Sequence, residues 1–141
     1  MEKLAILQDW FSRVWIGGDL AAIGAFFTEE ALASGVMPGL ELQRDDFAEL
    51  IPALMRMIVE PRVEIPRWFE GGDWLWVLMR IQAKSAQNLA PIDFTAQISM
   101  RFEGNRIAEA FNHFDLIAFL EQVGALPPET MALCLSGEHL D

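Results

Sequence analysis

The 141-residue sequence has no tyrosine, one cysteine, two histidines and only two lysines, Lys3 and Lys84, among its ten basic residues. Set against 21 acidic residues, these leave a net charge of -11. A nucleic-acid partner is not expected, because phosphate contacts need clustered Lys and Arg. An anionic membrane surface is not expected for the same reason. The lone Cys134 cannot close an intrachain disulfide, and no Cys-x-x-Cys or His-rich spacing marks a metal site. No metal and no cofactor is expected, and the thiol reads as a buried, inert side chain in a reducing cytoplasm. The longest apolar stretch, Leu20 to Phe27, is far shorter than the roughly 20 residues that span a bilayer. Met1 to Trp10 carries Glu2 and Asp9 in an amphipathic pattern, unlike a secretory signal. The expectation is a soluble cytoplasmic protein.

What is present favours collapse. Hydrophobic residues make up 52% of the chain, with ten Phe and five Trp. At this length a single domain, 1–141, is expected, able to bury roughly two-thirds of its unfolded surface. No linker, repeat or low-complexity tract interrupts it. The first half reads as helical. Leu4, Leu7, Phe11 and Val14 recur at helical spacing, widened by Ile6, Trp10 and Trp15, and Gly17-Gly18 stop the helix. Asp19 then reads as the N-cap of a second short helix, Leu20 to Phe27. Residues 31–43 read as loop with one short strand. A third helix is expected from Asp45-Asp46 to about Ile58, where Pro52 implies a kink or a later start.

The second half alternates. Strands are expected over Val63 to Phe69, Trp74 to Lys84, Ile92 to Phe102 and Arg106 to Phe114, with turns at Gly71-Gly72-Asp73 and Glu103-Gly104-Asn105. Asp115 reads as the cap of a helix running to about Val123, stopped by Gly124. A short helix ending at Leu135 follows Pro127-Pro128. Helices followed by an antiparallel meander imply an α+β fold, with the helices packed on the apolar face of the sheet. Trp74, Trp76 and Phe111 fall on the other face. An exposed aromatic patch of that kind marks an interface, so a homodimer joined through the sheets is expected.

Three segments resemble one family. Gly17-Gly18-Asp19-Leu20 with Phe27-Thr28-Glu29-Glu30-Ala31 is similar to its first helix pair. Glu103-Gly104-Asn105-Arg106-Ile107 is similar to its hairpin, and Asp115 with Leu120-Glu121-Gln122-Val123-Gly124 to its ending. In this order they resemble the nuclear transport factor 2-like superfamily, in particular its SnoaL-like polyketide cyclase branch. The resemblance implies a cystatin-like cone: N-terminal helices packed on a curved, mainly antiparallel sheet, a C-terminal helix, and a conical pocket open at one end. It also implies isomerase, cyclase, dehydratase or hydrolase chemistry, or binding alone, so function must be read from pocket residues. The tyrosine that ketosteroid isomerases carry on the first helix corresponds here to Phe11, and their general base to about Gly35. The acid/base aspartate of the cyclases corresponds to Asn112, and the histidine on the strand before to Ile98.

Asn112, His113 and Asp115 form the densest polar cluster in an otherwise apolar stretch. Asn112 can orient a ligand carbonyl but cannot take a proton near neutral pH. His113 or Asp115 would then be the acid/base. Strand alternation sets Asn112 on one face and the other two on the opposite face. The alternatives are a cap for Asp115, an outer-face residue for His113 and a satisfied core amide for Asn112. Glu29-Glu30 read as solvated, and Arg80 and Arg101 as outward ion pairs. A wall of Phe11, Trp15, Ile98 and Met100 around Asn112 suits a flat hydrophobic small molecule. Two readings stay open: a proton-transfer enzyme on a polyketide- or terpene-like substrate, or a non-catalytic ligand-binding or protein-interaction module of the same fold.

Overall fold

A computed structural model describes residues 2–139. Met1, Leu140 and Asp141, the two ends of the expected 1–141 domain, lie outside the described residues. The first helix, α1 (Lys3–Asp9), continues without a break into a π-helical stretch, Trp10–Ile16. The Gly17 amide closes it onto the Ser12 carbonyl at 2.9 Å, five residues back. Such a widened turn leaves no trace in side-chain periodicity. The expected second helix is shorter than the sequence suggests: a 3₁₀ turn, Leu20–Ala22, leads into α2 (Ile23–Phe26). Asp19 does not cap it; its carboxylate accepts the Arg13 Nε–H at 3.0 Å instead.

Phe27 opens a strand rather than closing a helix. β1 (Phe27–Met37) and β2 (Leu40–Gln43) form a hairpin over most of the segment expected to be loop. Its small residues and its pairing irregularities hide the period-2 signal there. A 3₁₀ turn, Arg44–Asp46, is held by the Asp46 carboxylate accepting the Gln43 amide at 2.8 Å. It delivers α3 (Phe47–Met55), whose later start leaves Pro52 inside the helix. β3 (Ile58–Gly71) begins where the third helix was expected to end, five residues ahead of the expected Val63. Its Pro61 and Pro66 are tolerated because β3 is an edge strand. β4 (Trp74–Ser85), β5 (Pro91–Glu103) and β6 (Arg106–Phe114) follow the alternation closely. α4 (Leu116–Gln122) and α5 (Thr130–Leu135) complete the chain. Cys134, expected to be buried, is exposed on α5.

The six strands form one curved sheet in the order β2-β1-β6-β5-β4-β3, antiparallel throughout except for the parallel β1–β6 seam. Leu75, Val77 and Met79 of β4 and Met100 of β5 are fully buried on its concave face. Against them pack Leu7, Trp10, Phe11 and Val14 of the first helix and Ile51 of α3. Trp10 anchors this layer, its ring edge-on to Phe27 and Phe47 at 4.9 and 5.4 Å. A bulge at Ala108 brings both Ile107 and Ala110, three residues apart, onto the concave side. A second, smaller cluster joins Phe119 and Val123 to Ala83 and Ile92, fastening the C-terminal helix to the end of the sheet. No helix among the described residues is long and apolar enough to cross a membrane.

Candidate ligand-binding site

The helices cover the concave face incompletely. Between the first helix, α3, α4 and the strands lies a cleft of about 690 Å³, its open mouth included. Phe11, Trp15 and Ile16 close one side, Leu54 and Met55 another, and Met79, Ile81 and Phe94 form the floor. A second, smaller inner space is bordered by Ile98, Met100 and Asn112 together with Phe11 and Trp15. Phe11, Trp15, Val36 and Phe114 border both, so the two spaces share a wall. The sequence-derived ligand candidates Phe11, Trp15, Ile98, Met100 and Asn112 therefore meet around the inner space. They come from the first helix and from β5 and β6. Ile98 faces Asn112 directly across the β5–β6 ladder.

Asn112 is buried, and its amide nitrogen donates to the Ser34 carbonyl at 3.0 Å, across the parallel seam. Gly35, with φ +84°, lets β1 come this close: a Cβ there would stand 1.8 Å from the Asn112 carbonyl oxygen. The position matched to a general base by resemblance thus has no room for any side chain. Asn112 is anchored through one Nδ2 hydrogen, and its amide carries a second.

His113 and Asp115 stand elsewhere. His113 is exposed on the outer face, paired with Gln97 in the ladder. Asp115 is exposed, and its carboxylate accepts the Ala118 amide at 3.2 Å as the cap of α4. Neither borders the cleft or the inner space, so the structure separates the acid/base candidates from Asn112. Asp115→Ala is expected to cost about 1 kcal/mol of stability and to leave ligand retention intact. Urea unfolding alongside a binding assay checks both halves, and loss of binding without loss of stability would return Asp115 to the site.

No titratable side chain borders either space among the described residues. Charge collects instead on the outer face. Arg80 pairs with Asp93, Nε to Oδ1 at 3.0 Å, and Arg101 with Glu103 and Glu109 at 3.1 and 3.2 Å. The hydrogen bond from Arg80 holds the Asp93 carboxyl below the usual carboxylate range. Hydrogen bonds to Glu103 and then Glu109 raise the Arg101 guanidinium. Glu29 and Glu30 are exposed too, on β1 rather than on a helix. Among the described residues no group of acidic, His or Cys side chains is placed to hold a metal ion.

One polar atom in the wall lacks a partner. The indole Nε1 of Trp15 is sealed from solvent and makes no hydrogen bond. Leaving such a donor unpaired costs about 1–3 kcal/mol, and native structures rarely carry one without a reason. In the sequence Trp15 reads as aromatic wall, its donor unmarked. Only its position in the stripe with Phe11 could have signalled it.

The SnoaL-like domain family model matches residues 7–110. No curated protein matches the chain. Among solved structures, a candidate polyketide cyclase from Bacillus cereus ATCC 10987 is 17% identical, covering 86% of this chain and 79% of its own with a TM-score of 0.75. AclR, a candidate hydroxylase from Streptomyces galilaeus, is 14% identical over 96% of this chain and 89% of its own, also with a TM-score of 0.75. A protein of ketosteroid isomerase-like fold from Catenulispora acidiphila DSM 44928, in complex with trimethylamine, is 20% identical. It covers 88% of this chain and 95% of its own at a TM-score of 0.72. Identities this low establish a shared fold.

Proposed function

The chain belongs to the SnoaL-like domain family, and from that premise we propose that it binds a flat, neutral, hydrophobic small molecule in its apolar cleft and inner space. The observation that carries this reading is the wall itself: aromatic, aliphatic and thioether side chains, one anchored amide, and no acid or base. A ligand held there is desolvated and oriented, but no side chain on the wall can exchange a proton with it at neutral pH. This favours a binding module over acid/base isomerase, cyclase or hydrolase chemistry by Asp115 or His113. Native mass spectrometry of the purified protein tests it. The expected spectrum carries an additional neutral mass that disappears on denaturation, or acquires one on incubation with a hydrophobic ketone. A protein that retains nothing and takes up no such compound would overturn the proposal.

The proposal extends to a cytoplasmic homodimer without nucleic-acid or membrane partners. An exposed thiol at Cys134 stays reduced in that compartment, and the net charge of -11 repels polyanions. On the outer face Trp74 stacks on Phe111 at 6.3 Å and Phe69 on Trp76 at 5.4 Å. Phe69 is 69% exposed and Phe111 46%. Two copies facing each other through these stacks would remove the patch from water. Sedimentation equilibrium is expected to give a dimer at micromolar protein and a monomer for Phe111→Arg. A monomeric wild type would sink the sheet-to-sheet assembly while leaving the cleft untouched.

A further inference from the structure

Every side chain bordering the outer cleft is a hydrocarbon, a thioether or a proline ring, with Trp15 as the exception. Among the side chains bordering the cleft, Trp15 is the single one that carries a hydrogen-bond donor, and its N–H lies behind the apolar surface. The indole nitrogen is also the one buried side-chain polar atom, among the described residues, that has no partner. Trp15 stands on the π-helical turn, its ring 6.2 Å from that of Phe11, and borders the inner space as well as the cleft. The N–H contributes no surface to the cleft as it stands, so an occupant reaches it only through a turn of the ring. An apolar ligand gains nothing from that donor. A ligand with one carbonyl-type oxygen satisfies it, and pairing a buried orphan is worth more than an ordinary exchange with water. A charged ligand finds no counter-charge on the wall.

We propose that the indole N–H of Trp15 determines ligand specificity, selecting flat neutral molecules that bear one carbonyl-type oxygen over their hydrocarbon counterparts. The inference rests on the cleft reading above, and its test separates the two. Fluorene and fluorenone are matched probes, flat and similar in size, differing in a methylene replaced by a carbonyl. Wild-type protein is expected to bind fluorenone about tenfold more tightly than fluorene, and Trp15→Phe to bind the two alike. In the wild type the indole ¹H–¹⁵N resonance of Trp15, assigned through its contacts with Phe11, should move downfield with fluorenone and not with fluorene. That readout stands without the variant, should Trp15→Phe fold poorly. Equal binding of both probes by the wild type, or a preference that survives in Trp15→Phe, overturns the role of Trp15 and leaves the cleft standing. If neither probe binds, the cleft reading itself falls, and the specificity proposal with it.

Discussion

Gly35→Ala is expected to destabilise the protein by about 4 kcal/mol or more, at the exceptional end for a single methyl group. Two effects combine. The residue sits at φ +84°, a region an alanine enters at a cost of about 1–2 kcal/mol. The added Cβ also falls 1.8 Å from the carbonyl oxygen of Asn112 and 2.9 Å from its carbonyl carbon. These are backbone atoms of β6, unable to rotate aside, so β1 and β6 must part. The bond from Asn112 to Ser34, which holds the amide in the inner space, goes with them. Gly39→Ala is the control: φ there is +73°, yet a Cβ would meet nothing within 4 Å. It should lose about 1–2 kcal/mol alone, so the difference between the two variants reads the close approach. Urea unfolding measures both, and the melting temperature of Gly35→Ala should fall by about 10 °C or more. A loss below about 2 kcal/mol, equal to that of Gly39→Ala, would show that the seam can open without penalty.

Ile81→Glu is expected to abolish ligand retention, lowering affinity for a neutral hydrophobic probe at least about 100-fold at pH 7. Ile81 is only 9% exposed and lies on the cleft floor beside Met79. An unpaired carboxylate there is stranded, with a stability penalty of about 3–5 kcal/mol. Burial raises its folded pKa above the unfolded value of about 4.3. Stability is therefore greatest below that unfolded value, where the group is neutral in both states, and is lost as pH rises through the folded pKa. Binding should follow, returning in part near pH 4. Ile81→Gln, equally polar but uncharged, should bind with little dependence on pH. The comparison is made by titrating fluorenone into each protein at the two pH values. Undiminished binding to Ile81→Glu at pH 7 would show that ligands do not occupy the cleft.

Local chemistry made much of this fold legible. β4 and β5 were readable because each alternates strictly over a half-buried face, β6 because its alternation breaks only at the Ala108 bulge, and two of the turns carry Gly72 and Gly104 where the chain reverses. Asp115 was readable as a cap because its partner, the Ala118 amide, lies three residues away. β1 was not. Its bulges and its small residues, Ala31, Ala33 and Ser34, erase the alternation, and its main partner β6 lies far along the chain. The π-helical turn escaped because it changes which carbonyl an amide reaches, not which residues are apolar.

Sequence alone determined the class of this protein: an acidic chain without tyrosine, metal spacing or basic clusters, with helices ahead of a meander and aromatic residues on two faces. Those properties follow from composition and from periods of a few residues. It also named Phe11, Trp15 and Met100 from the helical stripe and strand alternation, and Ile98 and Asn112 from the family resemblance. Only the tertiary structure decided that they border one space and that His113 and Asp115 stay outside it. It alone showed that Gly35 admits no side chain and that the Trp15 donor has no partner. Each of these depends on how closely segments distant in sequence approach, and that distance is set by the packing of the whole sheet against its helices.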